Sequence, residues 1–153
     1  MADQIKLRGH HLLCILTYKG EGYTPEFVGN FDAIADRINK GAEIEVVKGI
    51  DDICGALRQG AEITCHHAKA CRGPGVKYRD ALALADVARV LQIPLLRKGE
   101  VLVLKQGEIK YLRRYFLHGA NRRACTACSW HDFCTDIAKS GFTGVKLLPN
   151  AIP

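Results

Sequence analysis

Cys125-Thr-Ala-Cys128-Ser-Trp-His-Asp-Phe-Cys134 sets three thiols in ten residues, spaced C-x2-C and C-x5-C. Two cysteines three residues apart can turn both sulfurs to one point, the usual starting unit of metal and cluster sites. Three thiols do not close a four-ligand site, so the fold has to bring a distant segment to this one. Cys14, Cys54, Cys65 and Cys71 are the candidates. The compact C-x2-C-x2-C-x3-C-P run of bacterial ferredoxins is absent. The stretch therefore predicts a domain tied together by a cysteine-ligated centre. An iron–sulfur cluster, 4Fe–4S in the first instance, is expected, with zinc as the alternative.

The rest of the chain fits one cysteine-rich α+β domain over residues 1–153, with several short helices and a small sheet. At 153 residues, 48% hydrophobic and 25% charged, it can bury a core without staples. No run approaches the length of a membrane span. The first residues, Met1-Ala-Asp-Gln-Ile-Lys-Leu-Arg8, lack the basic-then-apolar order of a signal peptide. A cytoplasmic location follows as the expectation, and thiols stay reduced there. Seven cysteines would leave one over in a closed disulfide framework, which again favours metal or redox use. The net charge of +6 favours acidic partners, and its densest group is Lys110, Arg113, Arg114, Arg122 and Arg123. A solvated helix face is the first reading of that group and a phosphate-contacting face the second.

Local signals place the elements. Thr24 is an N-cap candidate, with Pro25 at the first helical position and Glu26 in the first turn. The helix runs to about Lys40, with Phe27, Phe31, Ile34 and Ile38 on one face and Gly41 ending it. Glu43–Val47 alternates as a strand does. A second helix covers about Tyr78–Gln92, and Pro94 prevents its continuation. Val101–Leu104 reads as a strand; residues 108–118 suit a helix leading to Cys125, with a hairpin starting at the Gln106-Gly107 turn as the alternative. After Gly9 a short buried helix is expected. Residues 55–77 read as irregular, and the tail from Gly141 as loosely packed.

Within that frame Cys54 is the first choice for the fourth ligand, because it follows a strand and the Ile50-Asp-Asp-Ile53 turn; Cys65 is second and Cys71 third. Cys14 reads equally as a ligand or as a buried thiol. On a helix, His10 and Cys14 are i,i+4 and His11 and Cys14 are i,i+3. That geometry suits a second metal site or a histidine-activated thiolate. No acidic residue adjoins the histidines in sequence to orient an imidazole. A hydrogen-bonded core pair is the bland alternative. The segment from Cys65 through His66 and His67 to Cys71 invites the same two readings. Asp51 and Asp52 read as caps of the turn before Cys54. Trp130 and Phe133 would shield a cluster or serve as core, and His131 as a zinc ligand or a surface residue. No nucleotide-binding loop, serine elbow or HExxH is present.

Four segments in order carry a resemblance: Arg8-Gly-His-His-Leu-Leu-Cys14, Gly22-Tyr-Thr-Pro-Glu-Phe-Val28 with Asn30-Phe-Asp32, Asp51-Asp-Ile-Cys54, and Cys125-x2-Cys128-x5-Cys134. Over about residues 5–135 the chain resembles the small bacterial and archaeal proteins called domain of unknown function 1284. The resemblance implies an iron–sulfur centre and supplies no activity. The family pattern carries a second cysteine soon after the Asp-Asp-Ile-Cys motif. Here the next are Cys65 and Cys71, at spacings of x10 and x5, so the middle ligand stays open.

The reading is an iron–sulfur protein with an electron-transfer, redox-sensing or structural role and an unidentified redox or protein partner. The first alternative is a structural zinc module contacting nucleic acid or a protein. The second is a thiol-dependent enzyme using His10, His11 and Cys14. Nucleic acid is not the expected partner, since few aromatics adjoin the basic group to stack bases.

Overall fold

The computed structural model describes residues 4–22, 24–59, 62–63, 74–126, 128 and 130–148. Among them are strands β1 (Gln4–Leu7), β2 (Glu43–Val46), β3 (Arg58–Gln59), β4 (Glu62–Ile63) and β5 (Val101–Leu102). The α-helices are α1 (His11–Thr17), α2 (Pro25–Asn39), α3 (Pro74–Leu91), α4 (Gln106–Leu117) and α5 (His131–Lys139). Short 3-10 turns lie at Cys54–Leu57 and Arg123–Cys125. The α+β expectation holds. A three-stranded sheet runs β1–β2–β5, with β1 parallel to β2 and β5 antiparallel to β2; β3 and β4 form a separate antiparallel pair.

β1 is a strand that the apolar N-terminal run concealed. Its alternation is only four residues long, with Ile5 and Leu7 buried and Gln4 and Lys6 exposed. Pairing of Ile5 with Ile44 and Leu7 with Val46 puts both inward rows on the core side. The parallel pairing needs a long crossover, which α1 and α2 supply. α2 starts as expected: Thr24 Oγ1 accepts the Phe27 N–H at 3.0 Å, and Pro25 occupies the first turn.

α1 is the central element. Leu12, Leu13, Ile15, Leu16 and Thr17 are all buried, and the helix lies against α3, α4 and α5. Its start is jammed against α3: a Cβ at Gly9 would meet the Asp80 carbonyl oxygen at 2.3 Å. Only glycine permits that approach. α3 begins earlier than its periodicity suggested, at Pro74. α4 is helical, as favoured.

The tail corrects its expectation. Phe142, Val145 and Leu147 are all buried, and Phe142 packs edge-on to Phe116. The glycines that suggested looseness turn the chain: Gly141 and Gly144 have φ near +80°. The basic group is corrected too. Arg113 is fully buried, where its Nε donates to the Leu16 carbonyl and its guanidinium to the Leu147 carbonyl. Arg122 lies over the Phe116 ring and bonds Thr135 and the His131 carbonyl. Arg123 pairs with Asp86. Lys110 and Arg114 are exposed. The five cations do not form one continuous face.

Candidate metal centre

The segment Arg123–Ser140 arranges its thiols through helical turns. Cys125 closes a 3-10 turn, the Cys128 N–H bonds the Cys125 carbonyl at 3.1 Å, and Cys134 lies in the first half of α5. The Cys134 N–H bonds the Trp130 carbonyl. The fourth thiol in this neighbourhood is Cys14, on α1, which packs against α5. Burial pushes Cys14 well above the ordinary thiol range, and the charges of Cys125, Cys134 and Cys128 push it further. Burial raises Cys125 as well, against the pull of a hydrogen bond from Arg122. Cys134 is raised by burial and by Cys128 and Cys125, and lowered by Thr17.

Four partly buried thiols thus sit where ionising one opposes ionising the next. Such a group is costly as bare thiolates. A cation inverts that logic, because a coordinating thiol is deprotonated outright. Donors are already aimed at the sulfurs. Thr17 Oγ1 donates to Cys134 Sγ at 3.2 Å, and the Trp130 N–H to Cys128 Sγ at 3.4 Å. Arg79, fixed by a 2.8 Å bond to the Ala124 carbonyl, lowers both Cys14 and Cys125. Trp130 and Phe133 meet edge to face, and Phe133 packs on the core.

The spacing of the sulfurs matters. Among the described residues, the group of three or more His, Cys, Asp or Glu donors lying within 4.8 Å of one another is His11, Asp51 and Cys54. No three of the four thiols are that close. A zinc tetrahedron with Zn–S bonds of about 2.3 Å has edges of roughly 3.8 Å.

Cys54, the first choice for the fourth ligand, stands with His11 and Asp51. Its N–H donates to Asp51 Oδ1 at 3.1 Å, the capping role expected of Asp51. Asp51 does more. Its Oδ2 accepts the Arg8 N–H at 2.9 Å and lies 2.6 Å from His11 Nδ1. Burial would raise this carboxyl, but the charge and hydrogen bond of His11 and the N–H groups of Arg8 and Cys54 hold it down to about 2. His10 has its own carboxylate. Asp80 Oδ1 lies 2.6 Å from His10 Nδ1 and accepts the His10 N–H, while Asp80 Oδ2 takes Arg8 Nε and a second guanidinium nitrogen, each at 3.0 Å. Burial, then the neighbouring His11, push His10 down to about 4, against the pull of Asp80.

The histidines therefore do have orienting acids, supplied from 40 and 70 residues away. Local sequence could not show them. One signal was available for Asp80: it falls on the stripe of Val76, Ala83 and Val87, and an acid on a buried helical face needs a partner. Arg79, its neighbour, acts on the thiols. His131 is 43% exposed and pairs with the adjacent Asp132, a surface residue. Cys65, His66, His67 and Cys71 lie outside the described residues.

Comparison with known proteins gives one match. The model of the family described as "Protein of unknown function (DUF1284)" matches residues 22–134. The chain belongs to this family. The matched residues include Asp51–Cys54 and the three C-terminal cysteines, and they begin after the Arg8–Cys14 segment that supplies both histidines. No curated protein and no solved structure matches. Among the described residues, no helix is long and apolar enough to cross a membrane.

Proposed function

We propose that this protein carries an iron–sulfur cluster, of the 4Fe–4S type, held by the thiolates of Cys14, Cys125, Cys128 and Cys134. The observation that carries the reading is that packing of α1 on α5 brings Cys14 to the three C-terminal thiols, so that all four act electrostatically on one another. Four thiolates are the usual ligand set of such a cluster. Thr17, the Trp130 N–H, Arg79 and Arg122 would offset the negative charge of the thiolates and tune the centre. Phe133 and Trp130 give it apolar cover. When bound, the cluster would supply one-electron chemistry or a structural clip between α1 and α5. Dispersal of the basic group over buried, paired and separately exposed cations lends little support to a phosphate-binding face.

The test is anaerobic purification followed by iron, sulfide and zinc analysis and an absorbance spectrum. A brown protein with near-equal iron and acid-labile sulfide is expected. Cys14→Ser should lose both, and Cys54→Ser should retain them. A colourless protein with stoichiometric zinc would replace this reading with the zinc module. Iron retained in Cys14→Ser but lost in Cys54→Ser would return Cys54 to the ligand set.

A further inference from the structure

A second set of donors lies at the N-terminal end of α1, apart from the thiol group. We propose that His11, Asp51 and Cys54 hold one divalent ion of the zinc class, each giving one ligand atom: a ring nitrogen, a carboxylate oxygen and the thiolate sulfur. The proposal does not rest on the iron–sulfur reading, because it uses none of Cys14, Cys125, Cys128 and Cys134.

The geometry carries it. A ring nitrogen of His11, an oxygen of Asp51 and Cys54 Sγ all lie within 4.8 Å of one another. Ligands at zinc bond lengths of about 2.0–2.3 Å stand roughly 3.3–3.8 Å apart, so the three donors are within about 1.5 Å of a coordination shell. The backbone beneath them is fixed. Asn30 Nδ2, on α2, donates to the carbonyls of Asp52 and Ile53 at 2.8 and 3.4 Å. On the other side the Lys6 N–H of β1 donates to Asp52 Oδ2 at 2.8 Å, and the Asp52 N–H to the Lys6 carbonyl at 3.0 Å. The turn that carries Asp51 and Cys54 is thus bonded to two elements before any ion binds.

The chemistry of the set suits a cation. Asp51 and Cys54 are 5% and 6% exposed. Buried charges are paired or coordinate metals. A carboxylate and a thiolate with a neutral imidazole make a divalent ion neutral overall. Asp51 meets the Arg8 N–H and His11 Nδ1 through Oδ2 and the Cys54 N–H through Oδ1. A carboxylate offers about four acceptor sites, so one remains on Oδ1. One nitrogen, one sulfur and one oxygen suit zinc, whereas calcium and magnesium take oxygen ligands. Three protein ligands leave a fourth position open, as catalytic zinc sites do.

The test has to separate this site from the thiol group, and the histidine does so. The probe is cadmium in its spin-half isotope, a substitute for zinc, added to the anaerobically purified whole protein and read by proton–cadmium correlation NMR. Scalar coupling passes through the metal–ligand bond, so each cross-peak names a ligand. One cadmium resonance should show cross-peaks both to an imidazole proton of His11 and to the β protons of Cys54. Cadmium among the four thiols cannot give that pair. The wild type alone decides this much. His11→Gln and Cys54→Ala should each remove the mixed resonance, and Cys128→Ser should leave it in place. Asp51→Asn should weaken cadmium binding at this resonance more than about 100-fold, beyond the 10–100-fold typical of residues that only orient a ligand. Cadmium bound through cysteines without His11, a His11 cross-peak without its Cys54 partner, no uptake, or a smaller effect of Asp51→Asn would overturn the proposal.

Discussion

The two ends of α1 carry donor groups assembled on opposite principles. At the N-terminal end, His10 and His11 are each locked to a carboxylate at 2.6 Å, and those carboxylates are locked in turn by Arg8 and backbone N–H groups. Every charge there has its counterpart in the protein. One turn later, Cys14 faces three thiols whose ionisation works against its own, offset in part by Arg79, Arg122 and the Thr17 hydroxyl. The first group is complete as protein and helps to hold β1, α1 and α3 together. The second is a set of groups that repel once charged. Adjacent residues of α3 serve the two: Asp80 the imidazole, Arg79 the thiols.

The sharpest break in this contrast comes from Asp80→Asn. The substitution removes the charge that pairs with Arg8, a residue 1% exposed, and replaces one of two acceptors with a donor. Breaking a buried ion pair from one side costs about 3–5 kcal/mol. Urea denaturation of the metal-free protein should show that loss in full. A variant within 1 kcal/mol of wild type would mean that the N-terminal group is not the preassembled one.

The thiol group should behave the opposite way, with a cost that appears only when a centre is bound. Cys128→Ser should lose the metal and lower the melting temperature by roughly 10 °C relative to the loaded wild type, about 3 kcal/mol for a chain of this size. Once both proteins are stripped of metal, their melting temperatures should coincide within a few degrees. The motive is the sequence distance between Cys14 and the 125–134 segment, since a clip across a long loop restrains the unfolded chain most. Equal melting in the loaded state would make the centre peripheral to folding.

Acid should undo the N-terminal group in two stages. His10 titrates near 4 in the folded protein and near 6.5 in the unfolded chain. Between those values the unfolded chain binds the extra proton, so stability falls as pH drops from about 6.5 to about 4. Asp51 is depressed from 3.8 to about 2, so its contribution is present above pH 4 and is lost below it, toward pH 2. Each stage is worth roughly 2–3 kcal/mol by linkage. In metal-free protein, His10→Asn should flatten the first stage and leave the second. A wild-type stability that is level from pH 7 to 4.5 would show that His10 is not held neutral.

The sequence revealed the three C-terminal thiols and concealed the approach of Cys14 to them, for a physical reason. Cys125, Cys128 and Cys134 are local, and a local spacing can be read directly. Cys14 joins them only because α1 packs on α5, a tertiary fact. Cys54 looked better placed because it follows β2 on an ordered turn, and that turn is indeed ordered, by Asp51. What no spacing could show was its direction, toward His11. The helices α2, α3 and α4 were legible from caps and periodicity, whereas α5 was not expected, because its residues read first as a cysteine-spaced loop. β1 was not, because four alternating residues run straight into the apolar face of α1. The tail misled because Gly141 and Gly144 read as looseness, whereas their positive φ values turn Phe142 and Val145 into the core.

The smallest effect separates a tuned thiol group from a merely assembled one. Thr17 is buried, and its hydroxyl lies 3.2 Å from Cys134 Sγ and 3.4 Å from the Cys14 carbonyl. Thr17→Val keeps the shape and removes the donor. If the hydroxyl serves the sulfur, its loss leaves Cys134 richer in electron density and makes it harder to add an electron to a bound cluster. A net hydrogen bond of about 1 kcal/mol corresponds to roughly 40 mV for one electron, so the midpoint potential should become more negative by about that much. Iron and sulfide content should not change. The carbonyl contact predicts something else, because a hydroxyl bonded to the Cys14 carbonyl stabilises α1 and leaves the sulfur alone. In that case the potential would stay where it is while the urea midpoint of the metal-free protein fell. Redox titration and denaturation of this one variant therefore show which of its two acceptors the Thr17 hydroxyl serves.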